Sequence, residues 1–151
     1  MPDTQILLVC SPGGHLQQLQ ALRPAWDGPA RVWVTLPSAD VHDVLAGETV
    51  VLGHGPTNRS VRNFLRNLVV AWRVVRAERP EAILSTGAAL AVPFFIVGRL
   101  HGCRVVYVES LTRTRTLSLS GRLVAPLAHE FFVQWPTTRR AKKARYVGNI
   151  L

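Results

Sequence analysis

The chain is poor in cysteine, with only Cys10 and Cys103 among 151 residues, and this excludes a disulfide scaffold. Both sit in apolar runs with no signal-peptide pattern ahead of them, which suits a reducing, cytosolic setting. Five histidines (15, 42, 54, 101 and 129) have no metal-like spacing with each other or with the cysteines, so neither a metal nor a cofactor is expected. Long apolar runs are missing as well: the longest, Ala88 to Gly98, has about half the length that a bilayer-spanning helix needs. Glycine (11) and proline (10) are near ordinary usage and 48% of residues are hydrophobic, which removes disorder and fibrous repeats. What remains is a globular chain of a size for one domain, taken as 1–151.

Acid is the other scarcity. Nine Asp and Glu face eighteen Lys and Arg, for a net charge of +9, and the excess is sorted by segment. Residues 1–58 are net acidic, 59–79 hold six arginines against Glu78, and 99–151 hold ten basic residues against Glu109 and Glu130. A basic face of this kind points to an anionic partner: phospholipid, nucleic acid or a phosphorylated substrate.

Short apolar runs alternate with longer segments of helical period. Strands are expected at Gln5–Cys10, Arg31–Leu36, Thr49–Leu52, Ala82–Ser85, Arg104–Glu109, Glu130–Gln134 and Arg145–Gly148. Helices are expected at His15–Trp26, Ser38–Ala46 with Ser38 as N-cap, Ser60–Glu78, and Ala88–Leu100. Strands alternating with helices, without hairpin signals, predict an α/β fold: a Rossmann-like parallel sheet with helices on both faces.

Such sheets bind ligands at the carboxyl ends of their strands. The first strand runs into Ser11-Pro12-Gly13-Gly14-His15, where glycine amides and a helix N-terminus suit a diphosphate and His15 could act as a base or phosphate donor. A plain tight turn explains Gly13 and Gly14 equally well, and a lone histidine is more often structural. Ser85, Thr86 and Gly87 could wall the same cleft with hydroxyls and amides, or simply cap and pack a helix. Glu109 ends an apolar strand, followed by Ser110 and Arg113. Its uses are a hydroxyl-binding carboxylate, a general base, or an ion pair with Arg113 or Arg115. If the first and fifth strands lie side by side, the His15 loop and the Glu109 end open into one cleft.

On the long helix, at 100° per residue, Arg59, Arg62, Arg66, Arg73 and Arg76 fall within an arc of roughly 100°. Val61, Phe64, Leu68, Ala71, Trp72 and Val75 are placed opposite, facing the sheet. The arginine stripe suits an anionic membrane surface, the plainer reading being a solvated face. A nucleic-acid module is disfavoured, because aromatics such as Trp33, Phe94 and Phe131 lie in strands and apolar helix faces rather than among the arginines.

The ordered segments SPGGHLQQL, ILSTGAALAVPF, VVYVESLTR, FFVQW and YVGNIL span nearly the whole chain. Together they resemble the oligosaccharide-biosynthesis family. That family includes the membrane-recruiting acceptor subunit of the dolichol-pathway N-acetylglucosaminyltransferase and the PssD-type proteins of capsule and exopolysaccharide synthesis. The chain also resembles the N-terminal half of MurG-like GT-B glycosyltransferases. The resemblance implies an acceptor-side half-domain that takes a polyprenyl diphosphate-linked sugar, with a separate donor-binding subunit supplying the UDP-sugar. It makes Tyr146 to Asn149 the crossover towards that donor half. It further implies His15 as base, with Glu109 as the alternative base or sugar-binding acid. Ser11, Gly13, Gly14, Ser85, Thr86, Gly87, Ser110 and Arg113 would then lie about the acceptor diphosphate.

Two departures matter. Met1 to Thr4 leaves no room for the N-terminal membrane helix of the eukaryotic members, so peripheral contact at the inner face of the plasma membrane is expected to rest on Arg62, Arg66, Arg73, Arg76 and the basic C-terminal region. The Gly-rich phosphate loop of MurG is shortened to Pro12-Gly13-Gly14. A second reading, from another class, is a non-catalytic membrane scaffold that only recruits the donor subunit.

Overall fold

Apolar runs without in-and-out alternation must be covered on both sides. The computed structural model, which describes residues 5–138 and 143–150, meets that demand with a sheet between two helical layers. The four N-terminal residues and part of the basic C-terminal tract, 139–142, lie outside the described residues. The strands are β1 (Gln5–Val9), β2 (Ala30–Thr35), β3 (Val50–Leu52), β4 (Ala82–Ser85), β5 (Arg104–Val108), β6 (Glu130–Val133) and β7 (Ala144–Tyr146). The helices are α1 (Gly14–Ala21), α2 (Arg23–Trp26), α3 (Val41–Val44), α4 (Val61–Glu78), α5 (Ala91–Leu100) and α6 (Leu119–Val124). All strand pairs are parallel, in the order β3-β2-β1-β4-β5-β6-β7.

Period-two alternation divides β1 between two cores. Leu7 and Val9 join the layer under α4, α5 and α6, while Leu8 and Cys10 join the one under α1, α2 and α3. In the first layer Tyr107 stacks on Phe131 and meets Phe95 edge-on. In the second Trp26 packs edge-on against Trp33, its ring centroid 5.3 Å away, and donates from Nε1 to the Leu19 carbonyl at 2.8 Å. Burial pushes the Cys10 thiol up to about 12, so the thiolate is disfavoured.

Three helices differ from expectation. The segment expected as one helix over His15–Trp26 breaks at Leu22 into α1 and α2, because Pro24 lacks the N–H that would continue the ladder and its ring crowds the preceding turn. In the Ser38–Ala46 segment only Val41–Val44 is helical, and the N-cap is Asp40. The Ser38 hydroxyl bonds the Asp40 carboxylate instead of capping. Ahead of α5, Ala88 at φ 75 holds the chain in a turn until Ala91. Helix α6 went unread in the sequence, because six residues are too short for a periodic signal.

The buried arc of α4 is also rotated from its expected position. Asn63, Asn67, Ala71, Val74 and Val75 face inward, whereas Val61 and Trp72 are exposed. The cause is hydrogen bonding. Asn67 Oδ1 accepts the His54 amide at 2.7 Å while its Nδ2 donates to the His54 carbonyl at 2.9 Å, and Asn63 Nδ2 donates to the Pro56 carbonyl at 2.8 Å. Two buried asparagines thus bolt the loop after β3 onto the helix, satisfying backbone groups that would otherwise be orphaned. The outward face then carries Val61, Leu65, Val69 and Trp72 beside Arg62, Arg66, Arg73 and Arg76. Its composition is both basic and apolar. Among the described residues no helix is long and apolar enough to cross a membrane.

Candidate functional site

Each strand of a parallel sheet hands its chain to the next helix at the carboxyl edge, so helix N-termini collect there, each with roughly half a positive charge. The N-termini of α1, α4, α5 and α6 all follow that edge. A cavity of about 940 Å³ opens among them, lined by Ser11, His15, Arg59, Ser110, Thr112 and Arg113 on its polar side. Val61, Phe64, Val92, Leu119 and Leu123 line its apolar side. Neither Arg59 nor Arg113 is in an ion pair among the described residues, so both guanidinium charges remain for an anion.

His15 is half-buried, and its Nδ1 lies 3.0 Å from the Thr86 carbonyl. A carbonyl only accepts, so Nδ1–H is the donor of this bond, and in the neutral ring Nε2 is the nitrogen with the lone pair. In return the Thr86 hydroxyl donates to the His15 carbonyl at 2.6 Å. The ring sits directly over Gly87, where an added Cβ would come within 2.8 Å of Nδ1 and Cε1. Gly87 also adopts φ 128, a conformation that side chains resist. The imidazole is therefore oriented by a carbonyl and seated by a glycine, with Nε2 as the ring nitrogen outside that bond.

The remaining sequence candidates divide. Ser11, Ser110 and Arg113 line the cavity with His15. Gly13, at φ 81 and ψ −133, requires glycine, and both it and Gly14 are exposed, so their amides can be approached. Ser85 and Thr86 are corrected: both are fully buried, Ser85 Oγ accepts the Gly87 amide at 3.1 Å, and the Thr86 hydroxyl is used by His15. They build the loop rather than face a ligand.

Glu109 is corrected more strongly. Its side chain is 1% exposed and absent from the cavity wall. Its carboxylate accepts from the Ser110 amide (2.9 Å), the Ser118 amide (2.9 Å) and the Ser118 hydroxyl (3.0 Å), and among the described residues it has no ion pair with Arg113 or Arg115. Ser118 in turn caps α6, its Oγ accepting the Gly121 amide at 3.0 Å. The acid anchors the 110–118 loop. Its charge, after burial itself, also helps hold the Tyr107 phenol protonated by raising its pKa. Strand β4 separates β1 from β5, so the two strands are not side by side as expected, yet Ser110 and Arg113, just past β5, share the cavity with His15 while Glu109 itself does not.

Arg59, Thr112 and Ser118 were missed as cavity residues. Arg59 was read as part of the long helix, but it precedes Ser60, the N-cap of α4, with φ 52, and turns into the cleft. The signal available was Ser60 itself, because a residue before an N-cap lies outside the helix.

A family model described as "Oligosaccharide biosynthesis protein Alg14 like" matches residues 53–150. The UDP-N-acetylglucosamine transferase subunit ALG14 of Eremothecium gossypii is 39% identical over 105 residues, covering 61% of this chain and 47% of that protein. Human ALG14 is 31% identical over 94 residues, covering 58% and 44%. The chain spans about half the length of these relatives. Among solved structures, Acinetobacter baumannii MurG superposes with a TM-score of 0.77 at 16% identity, over 95% of this chain and 45% of MurG. The UDP-N-acetylglucosamine 2-epimerase of Rickettsia bellii also gives 0.77, at 11% identity, over 98% and 45%. At such identities the likeness establishes the fold, one Rossmann-like half of a GT-B-type architecture. With that fold, the cavity at its carboxyl edge and a family match over most of its length, the chain belongs to the Alg14-like oligosaccharide biosynthesis family.

Proposed function

We propose that this chain is the acceptor-binding, membrane-recruiting subunit of a split glycosyltransferase. It presents a polyprenyl diphosphate-linked sugar to a UDP-sugar held by a donor-binding partner. The related subunits are named for UDP-N-acetylglucosamine, which makes that donor the first to test. The observation that carries the reading is the His15 hydrogen bond: Nδ1–H is committed to the Thr86 carbonyl in the wall of a cavity with two arginines, which makes Nε2 of the neutral ring the candidate base. In the reaction Nε2 takes the acceptor hydroxyl proton, the oxygen bonds to the anomeric carbon, and the bond from that carbon to UDP breaks. Arg59, Arg113 and the Gly13–Gly14 amides balance the acceptor diphosphate, and the partner holds the departing UDP.

Reconstitution tests this. The chain alone is expected to transfer no sugar from UDP-N-acetylglucosamine to a polyprenyl diphosphate acceptor, and activity is expected to appear when a donor-type subunit is added. Turnover by the chain alone would sink the split-enzyme reading.

The outward face of α4 supports peripheral attachment at the cytoplasmic face of the membrane. Its arginines meet anionic headgroups while Val61, Leu65, Val69 and Trp72 enter the interface. At about 1 kcal/mol per arginine, changing Arg62, Arg66 and Arg73 to Gln should lower affinity for anionic vesicles on the order of 10²-fold at low salt, with a smaller loss at high salt. Co-sedimentation unaffected by these changes would leave the stripe merely solvated.

A further inference from the structure

At the end of the sheet opposite the cleft, a second cavity of about 450 Å³ lies between the C-terminal ends of α4 and α5. Its polar lining is Arg76, Arg79 and His101, with Trp72 as one wall, and no carboxylate among the described residues lines it. Neither arginine is in an ion pair among the described residues. The nearby Glu78 is drawn off by Gln5, whose Nε2 donates to it at 2.6 Å.

Arg79 is the informative residue. It closes α4 in the left-handed conformation, φ 46 and ψ 53, a position that glycine fills without strain. Capping therefore does not call for arginine there, whereas a guanidinium facing an anion does. His101 donates from Nδ1 to the Val97 carbonyl at 2.9 Å, and its ring packs edge-on against Trp72 at 4.8 Å between centroids. Imidazole and indole are thereby fixed beside the two cations. Trp72 also belongs to the basic and apolar face of α4, and Leu100, next to His101 in the chain, is 74% exposed at the end of α5.

We infer that this cavity binds the phosphate of an anionic phospholipid, with Arg76 and Arg79 on the phosphate oxygens and Trp72 and Leu100 against the lipid's apolar part. The inference rests on the membrane reading of α4 and adds to it a discrete site in place of diffuse attraction. The ligand is held by two guanidinium groups, as phosphate oxygens favour.

The test compares single variants of the chain on phosphatidylcholine vesicles containing phosphatidylglycerol. Arg79→Gly relieves the left-handed strain, so its melting temperature should hold or rise, yet its affinity should fall tenfold or more. Arg62→Gln, on the same helix but outside the cavity, should lose only the roughly fivefold expected for one charge in a diffuse field. Equal losses for the two variants overturn the site and leave the membrane reading standing. If both variants and the triple Arg62, Arg66 and Arg73 to Gln variant bind as the parent does, the membrane reading falls and this site with it. Glycerol phosphate in solution bound as tightly as the vesicle phosphate, without any vesicle, would overturn the lipid as its source.

Discussion

His15→Ala is expected to lower the turnover of the reconstituted complex by roughly 10² to 10⁴, the loss that follows removal of a positioned general base. The apparent KM for the acceptor should change little, since Arg59, Arg113 and the exposed Gly13–Gly14 amides remain. Folding should survive, because the ring is half-buried and contributes one hydrogen bond, to Thr86. Gly87→Ala supplies the geometric counterpart. The new Cβ would stand 2.8 Å from the imidazole and force it off the Thr86 carbonyl, so turnover should fall although every polar group is retained. Single-turnover measurements with saturating donor check both variants. Activity of His15→Ala within twofold of the parent would remove the base assignment and favour the scaffold reading.

Glu109→Ala is expected to act on folding rather than on chemistry. The substitution deletes the acceptor for the Ser110 and Ser118 amides and the Ser118 hydroxyl in a site that water does not reach. Orphaning these donors should cost about 3–5 kcal/mol. For a chain of this size that is roughly a 10–15 °C fall in melting temperature. Glu109→Gln keeps the shape and one acceptor oxygen, and it should lose less. Calorimetry of the two variants beside their kcat separates the roles: a large drop in kcat for Glu109→Gln with an unchanged melting temperature would restore Glu109 as a base.

The two carboxyl-edge candidates looked alike in sequence, a polar residue following an apolar strand, and the structure treats them oppositely. For His15 the deciding facts are the Thr86 carbonyl and the missing side chain at Gly87, 71 and 72 positions away along the chain, joined by the pairing of β1 with β4. For Glu109 the deciding fact is a serine nine residues later that turns back to cap α6. Neither partner can be identified from local pattern, because hydrogen-bond satisfaction in a buried loop is settled by which backbone groups packing brings near. The same holds for α4. A period of 3.6 correctly places its arginines on one outward arc, but it assigns Trp72 to the core and misses the inward asparagines, since counting apolar residues gives no weight to a buried amide that satisfies a loop.

By itself the sequence determined the parallel α/β architecture, the carboxyl edge as the place to look for a site and the outward arginine arc of α4. These follow from periodicity and from uninterrupted apolar strands, which are local properties of the chain. The order of segments also carried the family resemblance. Only the tertiary structure decided that β4 stands between β1 and β5, that Arg59 leaves the helix for the cleft, and that Arg76, Arg79 and His101 meet at the far end of the sheet. It also decided that His15 donates to the Thr86 carbonyl at the cavity wall while Glu109 is buried as a loop anchor. Each of these depends on distant parts of the chain meeting in three dimensions, where burial and hydrogen-bond geometry fix what a polar side chain can do.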